Sequence, residues 1–180
     1  MQVEAAITTG KSDDDRNTPV VAESAAVALP LPRRIPSADP RVRSADFGGE
    51  PGQVVRARRW VGRVVDLDDD RVYPVLLVLS EFQTNAITHT ASGLPGGRVR
   101  VDLTHLPGSL RLAVTDQGPL PGQTGTCPRP RGILPGEDIA EHGRGLALVQ
   151  AVSRNWGYYR SCGAATTVWA LFDRDPRRGG

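Results

Sequence analysis

Apolar residues recur at helical spacing in two consecutive stretches of this chain and at every second position in the two that follow. After the glycine-rich "GGEPG", the segment "QVVRARRWVGRVVDL" places Val54, Ala57, Val61, Val64 and Val65 three or four residues apart, with arginines between them. That spacing predicts an amphipathic helix. "DLDDDR" supplies a turn and a start signal for a second helix, from Val72 to about Thr90, where Val75, Leu76, Val78, Leu79, Phe82, Ala86 and Ile87 form a broad apolar face. "GLPGG" breaks the pattern. The period then drops to two: "RVRVDLTHL" sends Val99, Val101 and Leu103 to one side, and "SLRLAVTDQ" does the same with Leu110, Leu112 and Val114. The "PG" between them predicts a hairpin.

From Pro119 to about Glu141 no period survives among the prolines, glycines and threonines. A gap of that length inside a domain reads as a functional lid or as disorder. "GRGLALVQAVSRNWG" resumes as a helix closing at Gly157, and "YYRSC" and "TTVWALF" read as a final strand pair. With a short strand in "SADF" from Ser44, the order is strand, helix, helix, strand, strand, lid, helix, strand, strand. This predicts an α+β fold, a two-layer sandwich with helices on one face of a mostly antiparallel sheet. Residues 1–43 show no sustained period, carry the acidic run Asp13 to Asp15 and end in a proline-rich stretch. They read as a disordered tail, followed by a domain over 44–175 and a short tail at 176–180.

Charge and composition narrow the function. Lys and Arg number 22 against 20 Asp and Glu, a net charge of +2, and Lys11 is the only lysine. No basic footprint is concentrated enough to suggest direct nucleic-acid binding. Cys127 and Cys162 stand far apart, outside any metal-ligand spacing, and read as free thiols in a reducing cytosol. No run is apolar enough for a membrane span, and the N-terminus lacks the pattern of a signal peptide, so the expected location is cytoplasmic. "AAITTGKS" approaches a phosphate loop, but Ala5 replaces its first glycine and "DDDRNTP" follows where a helix should begin.

Three pieces carry chemistry. In "SEFQTNAITHT", Glu81, Asn85 and His89 fall at i, i+4 and i+8, a polar stripe beside the apolar face of the second helix. In "VTDQG", Asp116 and Gly118 follow a strand directly. In "HGRGLALV", Gly143 and Gly145 stand at a helix start. Singly, each has an ordinary structural reading: a solvated helix face, a turn, a close-packing device. Together they suit one nucleotide. A helix N-terminus offers unpaired N–H groups to phosphates, and an asparagine oxygen can ligate Mg²⁺. A glutamate one turn away can accept a proton from a group attacking a γ-phosphate, and an aspartate at a strand end can accept a hydrogen bond from an adenine amine.

These motifs, "ExxxN" (Glu81, Asn85), "DxG" (Asp116, Gly118) and "GxGL" (Gly143, Gly145, Leu146), resemble in type and order the boxes of the GHKL, or histidine-kinase-like, ATPases. "EPGQVVRARRWV", "LVLSEFQTNAITHT" and "TTVWALF" narrow the resemblance to small stand-alone regulators similar to the anti-sigma-factor serine/threonine kinases of actinobacteria, over roughly Phe47 to Phe172. The resemblance implies a Bergerat-type ATP-binding fold. It makes Asn85 the Mg²⁺ ligand, Glu81 the general base and Asp116 the acceptor for the adenine amine. Gly118 would let the backbone pass close to the base, and Gly143 and Gly145 would admit the phosphates. Thr167 would sit near Asp116. On position alone, Arg144 is a candidate phosphate contact. One departure is visible: the fuller pattern has a glycine two residues after Gly118, where this chain has Leu120. Nothing resembles the phosphoacceptor helix of a sensor kinase, so His89 reads as a helix-face residue near the site.

The implied function is Mg-ATP-dependent phosphorylation of a small antagonist protein on serine or threonine by a protein that also binds a sigma factor, with a homodimer allowed. Glu81 favours this over the alternatives, a nucleotide-gated partner switch without phosphotransfer and a domain whose boxes have decayed.

Overall fold

A computed structural model describes residues 32–124, 144–160 and 165–174 of the 180-residue chain, with only the backbone of Arg144. The two long helices begin where chain chemistry permits. Helix α1 (Gly52–Val64) starts behind Pro51, and a four-residue connection leads to α2 (Asp69–His89). The Asp68 carboxylate caps α2, accepting from the Arg71 N–H at 3.0 Å, and Asp69 and Asp70 add negative charge to the first turn. Pro74 lies inside α2 and cannot donate to the Asp70 carbonyl, yet the helix runs on to His89. Arg58 of α1 ties the pair together, donating to the Leu76 carbonyl at 2.9 Å and to Ser80 Oγ at 2.8 Å.

The predicted hairpin is β3 (Arg98–Leu106) and β4 (Ser109–Thr115), and the strand expected at Ser44 is β2 (Val42–Gly48). Helix α3 (Arg144–Val152) leads into β5 (Asn155–Arg160), and β6 (Thr166–Asp173) completes the sheet. Among the described residues, with β1 at Arg33–Ile35, six strands run β1-β2-β3-β4-β6-β5, each antiparallel to its neighbour. The fold is α+β, with α1, α2 and α3 beside one open antiparallel sheet.

Two expectations need correction. Residues Arg33–Ile35, assigned above to the tail, form an edge strand β1 against β2. The turn between them is held by Asp39, whose carboxylate accepts from the backbone and guanidinium of Arg41. The Arg41 hydrogen bonds draw that carboxyl down to about 2. The last helix also ends earlier than Gly157. Past Val152, the Arg154 N–H turns to the Leu171 carbonyl at 2.8 Å, and the aromatic run that follows joins the sheet. Residues 1–31 and 175–180, most of the expected lid, and both cysteines lie outside the described residues.

Alternation sorts the sheet. Ala45 and Phe47 of β2, Val99, Val101 and Leu103 of β3, and Leu110, Leu112 and Val114 of β4 are buried against Val61, Val75, Val78, Leu79 and Phe82 of the helices. Phe47 meets Trp60 edge to face, with ring centroids 5.8 Å apart. Among the described residues, no helix is long and apolar enough to cross a membrane.

Candidate functional site

Parity along two strands decides which residues face the helices beyond the core. Asp116 stands two residues after the inward-facing Val114, just past the end of β4, and keeps the same side of the sheet. In β6, Thr166 shares its parity with Val168, Ala170 and Phe172. Between these strand ends and helices α2 and α3 lies a cleft of about 260 Å³. Val114 and Val168 form its apolar floor. Phe82, Asn85, Ala86 and His89 line it from α2, Leu146 from α3, and Asp116, Gly118, Thr166 and Arg160 from the sheet end.

Asp116 is fixed from several directions. Its Oδ1 accepts from the N–H of Gly118 at 2.7 Å and from the N–H of Thr166 at 2.9 Å, and its own N–H donates to the Thr166 carbonyl at 3.0 Å. Gly118 has φ 88°, a conformation that disfavours any side chain, which lets its N–H fold back onto Asp116. The Gly118 carbonyl in turn accepts from the Ala91 N–H at 2.8 Å, just beyond α2. A carboxylate with one oxygen held by two backbone N–H groups presents the other in a set direction.

The polar stripe on α2 spans the cleft and the contact with α3. Asn85 and His89 line the cleft, whereas Glu81 does not. Glu81 lies one turn back, against the first turn of α3: a Cβ placed on Gly145 would run into its Oε2. The carboxylate therefore stands where helix N–H groups are unpaired and the dipole is positive. Leu146 reaches the cleft wall, and Arg144 opens α3. Gly143 and the Arg144 side chain lie outside the described residues.

Thr167 neighbours the residue that holds Asp116, but its side chain does not line the cleft. Its Oγ1 lies 2.8 Å from Thr115 Oγ1, in a cross-strand pair on the face away from the helices, and the residue lining the cleft is its neighbour Thr166. Side chains alternate along a strand, so a one-residue offset reverses the face. Leu120, at the departure from the family pattern, opens a tight turn closed by the Gln123 N–H at 3.0 Å. Arg160 and Thr90 also line the cleft without having been expected there. Arg160 arrives by pairing with Thr166 across β5 and β6, a pairing visible only once the register is known.

The donors suit a magnesium ion carried by a triphosphate better than one caged by protein. No group of three or more His, Cys, Asp or Glu among the described residues could hold a metal. Mg²⁺ on phosphates takes most of its oxygens from phosphate and water, and the Asn85 amide oxygen at the cleft wall fits that need.

No curated protein matches the chain. The family model of the histidine kinase-like ATPase domain matches residues 47–172, well over half of the 180, and its span takes in the α2 stripe, the Asp116 turn, α3 and β6. The chain belongs to the histidine kinase-like ATPase domain family.

Proposed function

We propose that the chain is a Mg-ATP-binding regulator that transfers the γ-phosphate to a serine or threonine of a small antagonist protein and also binds a sigma factor, as anti-sigma-factor kinases do. One observation carries the nucleotide reading. The oriented Asp116 carboxylate and the first turn of α3 flank a single cleft, with Asn85 on the wall between them. Asp116 would accept from the adenine amine, Val114 and Val168 would pack against the base, and the start of α3, with Arg144 and Gly145, would receive the phosphates. Bound Mg²⁺ would neutralise phosphate charge, with Asn85 as its protein ligand. Glu81 and His89 lie eight residues apart on α2, roughly 12 Å along the axis, which sets the glutamate at the phosphate end.

In the transfer, the hydroxyl oxygen of the antagonist forms a bond to the γ-phosphorus as the bond to the β,γ-bridging oxygen breaks. Glu81 takes the hydroxyl proton, and ADP leaves with the electron pair. Calorimetric titration with ATP, with and without Mg²⁺, tests the site. Binding should depend on magnesium and should be lost in Asn85→Ala. Glu81→Ala should keep ATP binding and lose phosphotransfer; a variant that transfers phosphate at the wild-type rate would remove Glu81 from the chemistry.

One observation favours a second reading, a nucleotide-gated switch without transfer. Gln123 and Thr124 line the cleft and lead directly into the long proline- and glycine-containing segment, so bound nucleotide would touch the start of the element that a gate requires. Magnesium-dependent binding with no transfer to any antagonist would decide for this reading.

A further inference from the structure

Ser92 lies in the short 3₁₀ turn Ala91–Gly93 that follows α2 and is completely buried, although it does not line the cleft. Its Oγ accepts from the N–H of Gln117 at 2.9 Å, the central residue of the Asp116–Gly118 turn. The neighbouring Ala91 N–H donates to the Gly118 carbonyl at 2.8 Å. The outer side of the turn that orients Asp116 is therefore hydrogen-bonded twice to one short segment.

That segment is itself immobilised. The Ser92 N–H donates to Thr90 Oγ1 at 3.1 Å, and Thr90 Oγ1 donates back to the Ala86 carbonyl at 2.6 Å, inside the last turn of α2. The Ser92 carbonyl is wedged between two glycines: a Cβ on either Gly49 or Gly97 would land on its oxygen. Burial of a hydroxyl in such a confined place is costly unless it has a partner, and the partner here is the backbone of the aspartate's own turn.

We propose that Ser92 is a positioning residue for purine selection: through Gln117 it fixes the direction in which Asp116 meets the 6-amino group of the base. The proposal rests on the nucleotide reading above. It goes further in assigning discrimination between 6-amino and 6-oxo purine nucleotides to a residue that touches neither. Without the Ser92 hydroxyl, the Gln117 N–H is left without its acceptor. The Asp116–Gly118 turn then keeps only the Ala91 tie to this segment and shifts, and the contact most sensitive to angle, carboxylate to amine, weakens. Contacts made by the start of α3 to phosphate are untouched.

The test compares ATP with inosine triphosphate, which carries an oxygen in place of the amine, on wild type and Ser92→Ala. Wild type should prefer ATP. Ser92→Ala should bind ATP about tenfold more weakly while its affinity for inosine triphosphate stays within about twofold, so that the preference collapses. Ser92→Cys, nearly isosteric with a weak sulfur acceptor, should fall between the two, and it provides the comparison if the alanine variant does not fold. Equal losses for both nucleotides, or no loss for either, would overturn the role of Ser92 and leave the nucleotide site standing. Failure of wild type to bind either nucleotide would overturn the site and the proposal together.

Discussion

Asp116 and Thr166 hold each other in both directions, the aspartate N–H donating to the threonine carbonyl at 3.0 Å and the threonine N–H donating to Asp116 Oδ1 at 2.9 Å. The side chain thus does structural work before any ligand arrives. Asp116→Ala removes the acceptor for two backbone N–H groups and should cost about 1–3 kcal/mol, read as a drop in Tm of roughly 2–4 °C per kcal/mol for a chain of this size. Asp116→Asn keeps an oxygen for those donors but loses the charge. Its Tm should stay nearer that of wild type while its ATP affinity falls, a split that thermal melting and titration on the same samples would reveal.

Gly145 is held without a side chain by the Glu81 carboxylate rather than by backbone conformation. In Gly145→Ala the new methyl displaces Oε2, so phosphotransfer should fall sharply. Stability should change little, because a carboxylate at the end of a side chain can swing away. A double-mutant cycle on the transfer rate should show non-additive losses, Gly145→Ala costing nothing further once Glu81 is Ala. Strict additivity would mean that the two residues are independent.

His105, at the end of β3, is pushed below its ordinary value of 6.5, first by burial and then by the charges of Arg174 and Arg43, with Asp66 opposing them. A depressed histidine binds its proton more readily in the unfolded chain than in the folded one. Stability should therefore be undiminished above about pH 6.5 and fall as the pH drops toward the lower folded value. Urea melts of wild type and His105→Gln at pH 7.5 and pH 5.5 would check this: the loss on acidification should be smaller in the variant.

Gln53 and Gln83 are buried on α1 and α2, and neither side-chain amide has a hydrogen-bond partner among the described residues. Gln83 lies between Glu81 and Asn85 in sequence but belongs to the buried set of α2. An unpaired buried amide costs about 1–3 kcal/mol, so Gln83→Met should raise the midpoint of urea unfolding. A lowered midpoint would show that this seam holds a polar partner such as an ordered water.

Pattern made much of this architecture legible. The α1 and α2 stripes and the β3–β4 alternation are long and regular, and their elements appear where the periods place them. Strand β1 is three residues flanked by prolines, too short to show a period. Strand β5 was disguised: Leu146, Val149, Val152 and Trp156 continue a helical interval, yet Trp156 packs against the core from a strand. At the site, Asn85, Asp116, Gly118 and Leu146 could be found from the order of motifs. Thr166 could not be told from Thr167 without the β4–β6 register. Ser92 was hidden because its partner is a backbone N–H, which leaves no mark on residue type.

The strand order has a consequence for the chain as it is made. β6, the last strand among the described residues, pairs between β4 and β5, and it brings Thr166 and Val168 to the cleft. A ribosome will have released the Asp116 turn fifty residues before Thr166, the latch that holds it. Until then the nascent chain exposes the β4 edge, a surface prone to mispairing. Nucleotide has nowhere to settle before β6 docks, so ligand can stabilise only the finished protein and offers no help to one still being synthesised.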